Sequence, residues 1–226
     1  DSLEGVIDVI YNPLRSLLIT DAKAKNIKAE GGLYMLVAQA VSASEFFMDT
    51  EYGRELTEDI YDAMLKDKAN IVLTGMPASG KSTIGKAVAE KLKRDFYDID
   101  SMVEEQAGMT ISDMFEKYGE RYFRDRERTV AAQLASKSGA VIATGGGTVI
   151  EEENARRLKM NGILFFLDRD PKLLRPTADR PTAFDREQMM KRYDERYDIY
   201  RDRADFIIKN DGAEKTAIDE ILKEFQ

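Results

Sequence analysis

The chain has 226 residues, long enough for one large or two modest domains with a sizeable buried core. Hydrophobic residues make up 43% and charged residues 34%, a globular balance, and the net charge of −8 argues against a nucleic-acid partner. Cys and His are both absent, which excludes disulfides, thiolate metal sites and Ser-His triads and leaves proton transfer to carboxylates, Lys, Tyr or the substrate.

Residues 5 to 11 (GVIDVIY) are rich in Val and Ile and read as a buried strand that ends at Asn12-Pro13. Helical stretches follow at about Pro13 to Lys25 and Leu33 to Met48, with Gly31-Gly32 as the break between them. The second stretch is the most apolar in the chain. Gln39, Ser42, Ser44 and Glu45 interrupt it, so it cannot span a bilayer, and a cytoplasmic protein with no membrane partner is expected. A charged helix from about Arg54 to Leu65 leads to a junction at Lys66-Asp67-Lys68-Ala69. A lone strand has no ladder partner, so residues 1 to 66 read as an incomplete domain. The first residue is Asp1 rather than Met, which fits a processed product or a piece of a longer chain.

From Asn70 onward, strands and helices alternate, the pattern of a parallel sheet covered by helices. The strands are Ile71–Thr74, Asp95–Asp98, Ala140–Thr144, Ile163–Leu167 and Phe206–Lys209. The helices are about Lys81–Lys93, Ile111–Ser136, Glu151–Lys159, Arg186–Arg203 and Ala213–Phe225. Pro171, Pro176 and Pro181 mark a loop between the fourth strand and the helix at Arg186.

Four features carry chemistry. Gly75-Met76-Pro77-Ala78-Ser79-Gly80-Lys81-Ser82, followed by Thr83, fits G-x-x-x-x-G-K-[ST] between an apolar strand and a helix. In such a loop backbone N–H groups and a helix N-terminus cradle phosphate oxygens, the Lys reaches the β- and γ-phosphates, and the Ser hydroxyl ligates Mg²⁺. Asp98-Ile99-Asp100 closes the second strand. Alternation along a strand would point both carboxylates the same way, about 6.5 to 7 Å apart, one for metal and one for a substrate hydroxyl. The competing reading makes Asp100 a plain helix N-cap. Gly145-Gly146-Gly147 follows the third strand. It reads either as a flexible turn or as backbone that a ligand approaches closely and that offers amide donors. No Walker-B Asp follows that strand, which favours Asp98 for the metal. Arg124, Arg196 and Arg180 are basic residues placed to neutralise anionic charge, Arg180 on the proline-marked loop.

Taken in order, GMPASGKST (75–83), DID (98–100), FRDRE (123–127), GGG (145–147), the Arg180-Pro181 pair and RYDIYR (196–201) resemble shikimate kinase from Asn70 to Gln226. That family is a small P-loop kinase of the nucleoside-monophosphate-kinase type, with a five-stranded parallel sheet flanked by helices. The resemblance implies ATP-dependent phosphorylation of the shikimate 3-hydroxyl with Mg²⁺, by a monomeric kinase domain whose partners are two small molecules. It implies that Gly75, Ala78, Ser79, Gly80, Lys81, Ser82 and Thr83 hold the nucleotide, with Arg175 on the adenine side. Ser82 and Asp98 would serve the metal. Asp100, Arg124, Gly145, Gly146, Gly147 and Arg196 would form the shikimate site, the two arginines holding the carboxylate. Lys81, Asp100 and the lid residue Arg180 would be catalytic. Thr182-Ala183 stands where the family commonly has Leu-Leu, a departure that bears on lid packing.

Residues 3 to about 65 resemble the C-terminal end of shikimate dehydrogenase, through Asp8-Val9-Ile10-Tyr11-Asn12-Pro13 and Gly31-Gly32-Leu33-Tyr34-Met35-Leu36-Val37-Ala38-Gln39-Ala40. That resemblance implies two units, a dehydrogenase-like remnant at 1–66 and a kinase at 67–226. The remnant lacks a glycine-rich dinucleotide turn, which argues against dehydrogenase activity. The alternatives to a shikimate kinase are a gluconate-kinase-like enzyme or an inactive nucleotide-binding regulatory module. The intact Lys81, Ser82, Asp98 and Asp100 speak against the last.

Overall fold

The computed structural model describes residues 3–174 and 186–225. Its first 68 residues form β1 (Gly5–Ile7), α1 (Leu17–Ala24), β2 (Lys28–Glu30), α2 (Gly32–Met48) and α3 (Arg54–Lys68). Two expectations are corrected here. The strand is neither buried nor alone: Ile7 is 84% exposed and Val9 65% exposed, and β1 pairs in parallel with β2, register Val6 to Ala29. The segment KAE has no apolar alternation, so only the ladder itself reveals β2. The first helix starts at Leu17 rather than Pro13, because Ser16 caps it by accepting from the Ile19 N–H at 3.3 Å.

The remaining chain forms β3 (Asn70–Thr74), α4 (Lys81–Leu92), β4 (Phe96–Asp98), α5 (Ile99–Ala107), α6 (Ile111–Ala135), β5 (Val141–Ala143), α7 (Glu152–Asn161), β6 (Gly162–Asp168), α8 (Arg186–Arg203), β7 (Phe206–Lys209) and α9 (Glu214–Phe225). Strands β3 to β7 make one all-parallel sheet in the order β4-β5-β3-β6-β7, as the alternating pattern implied. Helix α5 is an addition to the expected set, and α6 is kinked at Gly119, whose φ of 79° and ψ of 173° leave the helical region.

Each central strand divides its side chains between two cores, as the two-residue period requires. Val72, Ile142, Leu164 and Phe166 enter the layer formed with Val103, Met114, Val130, Leu158 and Tyr200. Ile71, Leu73, Val141, Phe165 and Leu167 enter the opposite layer with Ile84, Val88, Ile218, Ile221 and Phe225. A sheet covered on both faces explains why β3 is buried at every position.

The N-terminal segment is tied to this second layer. Leu14 and Leu33 are buried within it. Buried Asn161, at the end of α7, accepts from the Leu14 N–H at 2.7 Å and donates to the Ala135 carbonyl at 3.1 Å and the Lys137 carbonyl at 3.3 Å. Arg15 N–H donates to the Met160 carbonyl at 2.9 Å, and Arg156 pairs with Asp21 at 2.5 Å. Arg94 reaches the carbonyls of Ala69 and Lys66 at 2.6 and 2.7 Å, fixing the passage from α3 into β3. Asn161→Ala leaves the Leu14 N–H without its buried side-chain partner and removes a donor from the Ala135 carbonyl, while the Lys137 carbonyl keeps Asn70 Nδ2 at 2.7 Å. It is expected to lower unfolding free energy by about 1–3 kcal/mol, read from urea denaturation.

Candidate functional site

The carboxyl ends of the parallel strands carry the site, as expected for an open α/β sheet. Beyond β3, residues 75–80 curl into a tight loop before α4. Gly75 has φ of 142°, and a Cβ there would lie 2.8 Å from the Leu167 carbonyl oxygen, so no other residue fits. Ala78 is held at φ of 64°, a left-handed conformation that costs a non-glycine residue of the order of 1 kcal/mol and clusters at functional positions. Ser79 is buried, and Gly80 caps α4 at φ of 91°. Lys81, 8% exposed, folds its ammonium back onto the loop, donating to the carbonyls of Gly75 at 3.0 Å and Met76 at 2.8 Å. Ser82 and Thr83 follow in the first, exposed turn of α4.

Ser82 Oγ donates to Asp98 Oδ2 at 2.5 Å. A hydroxyl and a carboxylate in contact suit a hard cation such as Mg²⁺, which takes one or two protein oxygens and completes its shell with water and phosphate. These two side chains therefore fit the metal expected of a P-loop kinase. The geometry of Asp98-Ile99-Asp100 differs from the strand alternation expected. Asp98 ends β4 and is itself the N-cap of α5, its Oδ1 accepting from the Ser101 N–H at 3.2 Å. Asp100 lies in the first helical turn, so helix geometry rather than strand pleat separates the two carboxylates.

Of the two readings of the Gly145–Gly147 segment, the structure removes the flexible turn. None of its glycines takes a positive φ, so conformational freedom is not why they are glycines. Space is. A Cβ at Gly145 would lie 2.4 Å from Asp100 Oδ1, one at Gly146 2.7 Å from the Pro77 ring, and one at Gly147 2.3 Å from Arg124 Nη1. The three glycines thus bring Asp100, the loop at 75–80 and Arg124 around one piece of backbone. Arg196 joins from α8, donating from Nη1 to the Gly146 carbonyl at 3.2 Å, and the buried Tyr200 hydroxyl donates to the same oxygen. Burial is the main reason the Tyr200 phenol is pushed up to about 12, which keeps it a neutral donor.

Several members of this arrangement were not singled out by sequence reasoning. Glu127, 1% exposed, accepts from Arg124 Nη1 at 2.7 Å and from Thr148 Oγ1 at 2.6 Å. Burial, the largest influence, pushes its carboxyl up, while the Arg124 charge and both hydrogen bonds oppose that shift. For Arg124 burial acts downward, but Glu127 and Glu120 outweigh it and raise the guanidinium, keeping it charged. The i,i+3 spacing within FRDRE was the available signal for Glu127. Arg203 was equally silent; it donates to the carbonyls of Val149 and, at 2.8 Å, Ile150. Arg175, Arg180 and the rest of the proposed lid, 176–185, lie outside the described residues. The hydroxyls of Thr74, Ser79 and Thr144 are buried around the same strand ends with no hydrogen-bond partner among the described residues.

Gly145→Ala tests this packing. Its methyl must displace Asp100, and a misplacement of about 1 Å costs roughly 10²-fold in rate. Turnover is therefore expected to fall by about that factor in steady-state kinetics while the far-ultraviolet circular dichroism stays native.

The family model described as shikimate kinase matches residues 77–226. A curated shikimate kinase from Clostridium beijerinckii is 42% identical over 158 residues, covering 68% of this chain and 93% of that protein. Among solved structures, the shikimate kinase from Acinetobacter baumannii in complex with shikimate is 32% identical with a TM-score of 0.66, covering 73% of this chain and 95% of that one. The shikimate kinase from Aquifex aeolicus is 33% identical with a TM-score of 0.62, covering 68% and 94%. The matched region contains Lys81, Asp98, Asp100, Gly145 to Gly147, Arg124 and Arg196, and with this agreement of motif, geometry and relatedness the chain belongs to the shikimate kinase family.

Proposed function

We propose that this chain is an ATP-dependent shikimate kinase, which transfers the γ-phosphoryl group of ATP to the shikimate 3-hydroxyl. The observation that carries this reading is the shared wall at Gly146, where Pro77 of the phosphate-binding loop touches the backbone that Asp100, Arg124 and Arg196 also reach. A phosphoryl donor and a hydroxyl acceptor are thereby held on two sides of one peptide segment.

In this reading Arg124 and Arg196 receive the shikimate carboxylate, a pairing suited to guanidinium forks. Asp100 orients the 3-hydroxyl and takes up its proton as the oxygen attacks the γ-phosphorus in line. The bond to the β–γ bridging oxygen breaks, and ADP leaves with that oxygen. Lys81, buried beside the loop, neutralises phosphate charge, and Arg180 would add a second cation from the lid. Mg²⁺, held through Ser82 and Asp98, supplies charge neutralisation of the β- and γ-oxygens when bound. Gly75, Ala78, Ser79, Gly80 and Thr83 complete the phosphate cradle, and Arg175 contacts the adenine. The enzyme acts on these two small molecules as a monomer in the cytoplasm. Among the described residues no helix is long and apolar enough to cross a membrane.

We further infer that residues 1–66 correspond to the C-terminal end of a dehydrogenase-like domain and 67–226 to the kinase. Apolar side chains left in solvent there, with Ile7, Val9, Phe46 and Phe47 each at least 65% exposed, fit faces that further chain would cover.

A coupled ADP-release assay with shikimate, gluconate, a nucleoside monophosphate or no acceptor tests the assignment. Release that depends on both shikimate and a divalent cation is expected, and release indifferent to shikimate would point to another acceptor. Two substitutions separate holding from chemistry. Arg196→Ala is expected to raise KM for shikimate by about 30- to 10³-fold with KM for ATP nearly unchanged. Asp100→Asn keeps size but loses the negative charge, and is expected to lower kcat by about 10²- to 10⁴-fold.

A further inference from the structure

The phosphate-binding loop is held from outside by a residue that no motif marks. β7 ends at Lys209, paired with Asp168 of β6, and the next residue, Asn210, is 1% exposed. Its N–H donates to the Asp168 carbonyl at 2.8 Å, which fixes the Asn210 backbone to the rigid end of the sheet. From there its Nδ2 donates to the Ser79 carbonyl at 2.7 Å, across 131 positions of sequence. The bond settles which end of the amide faces the loop, because a carbonyl oxygen at Ser79 requires a donor.

The peptide plane makes this contact consequential. Ser79 C=O and Gly80 N–H belong to one planar unit and point in opposite directions, so fixing the carbonyl fixes the N–H. Gly80 is the N-cap of α4, and in the kinase reading its N–H is one of the backbone donors such a loop turns toward phosphate. The Asn210 carboxamide also lies beside Gly80, where a Cβ would meet its Nδ2 at 3.4 Å. Within the loop, Ser79 N–H donates to the Met76 carbonyl at 3.2 Å, so the turn has local closure but depends on Asn210 for its docking onto β7. We infer that Asn210 is a positioning residue for nucleotide binding: its carboxamide orients the Ser79–Gly80 peptide so that the loop is set for phosphate before the nucleotide arrives. The inference rests on the kinase reading of the site and names a residue that acts on its nucleotide half alone.

Asn210→Leu keeps the approximate size and removes the donor. Asn210→Asp keeps the shape and loses the donor when ionised. Both are compared with the wild type by titrating ADP alone, shikimate alone, and by KM for ATP. For Asn210→Leu, ADP affinity is expected to fall and KM for ATP to rise by about tenfold, as for a buried acceptor left unpaired, with shikimate affinity within about twofold. For Asn210→Asp, ADP affinity relative to wild type is expected to worsen as pH rises, because only the neutral carboxyl can donate to Ser79. Unchanged ADP affinity in both variants, or ADP and shikimate affinities falling together, would overturn the inference. In isotopically labelled wild type, a scalar coupling across the hydrogen bond from the Asn210 side-chain nitrogen to the Ser79 carbonyl carbon is expected, and its absence would overturn the assignment without any variant. Because ADP binding is read by itself, failure of the protein to phosphorylate shikimate would overturn the kinase reading and leave this one standing.

Discussion

At the carboxyl end of β5 the backbone runs through Gly145, Gly146 and Gly147 with neighbours on every side closer than a Cβ carbon allows. Asp100 presses on the first, Pro77 on the second and Arg124 on the third. Close packing of this kind makes interiors transmit displacement rather than absorb it. Asp100 is carried by α5, Arg124 by α6 and Pro77 by the loop after β3, so three separate connections of the fold meet at one short stretch of backbone. Their mutual distances are set by the absence of three side chains.

Helix α8 closes the arrangement from the far side. Arg196 and Tyr200, one helical turn apart, both donate to the Gly146 carbonyl, and Arg203 holds the carbonyls just after the segment. A helix whose inner face reads Arg, Tyr, Arg at i, i+4 and i+7 can clamp a short irregular backbone because those positions share one side. Glu127 performs the complementary task for Arg124. Alone, a half-buried guanidinium adopts many rotamers; held by Glu127 and Glu120 it presents a defined edge. The desolvation cost of Glu127 is offset in part by its two hydrogen bonds and by the cation beside it, and its carboxyl remains raised.

The fold was readable where physical chemistry is local. The run Ile71–Thr74, the glycine-bracketed loop and the alternation after it located every strand of the five-stranded sheet. The site was readable as residue types: Lys81, Ser82, Asp98, Asp100, Arg124, Gly146 and Arg196 are all brought to the strand ends. What escaped was non-local. β2 is visible only through its pairing with β1, since Lys28–Glu30 carries no pattern of its own. The packing around the three glycines was not legible, because the side chains that press on them come from distant segments. Asn210 follows an ordinary strand and touches Ser79 only because β7 lies two strands from β3. The strand reading of Asp100 failed for a local reason: Asp98 caps a helix that begins one residue later.

Gly146→Ala tests the central claim, that one peptide segment is the common wall of the nucleotide and acceptor sites, most directly. Its methyl would approach Pro77 to 2.7 Å while the carbonyl of the same residue anchors Arg196 and Tyr200. Measured by calorimetric titration of each ligand alone, affinity for ADP and affinity for shikimate are both expected to fall, each by about tenfold. A variant that stays folded and loses affinity for only one of the two ligands, or for neither, would contradict the shared wall.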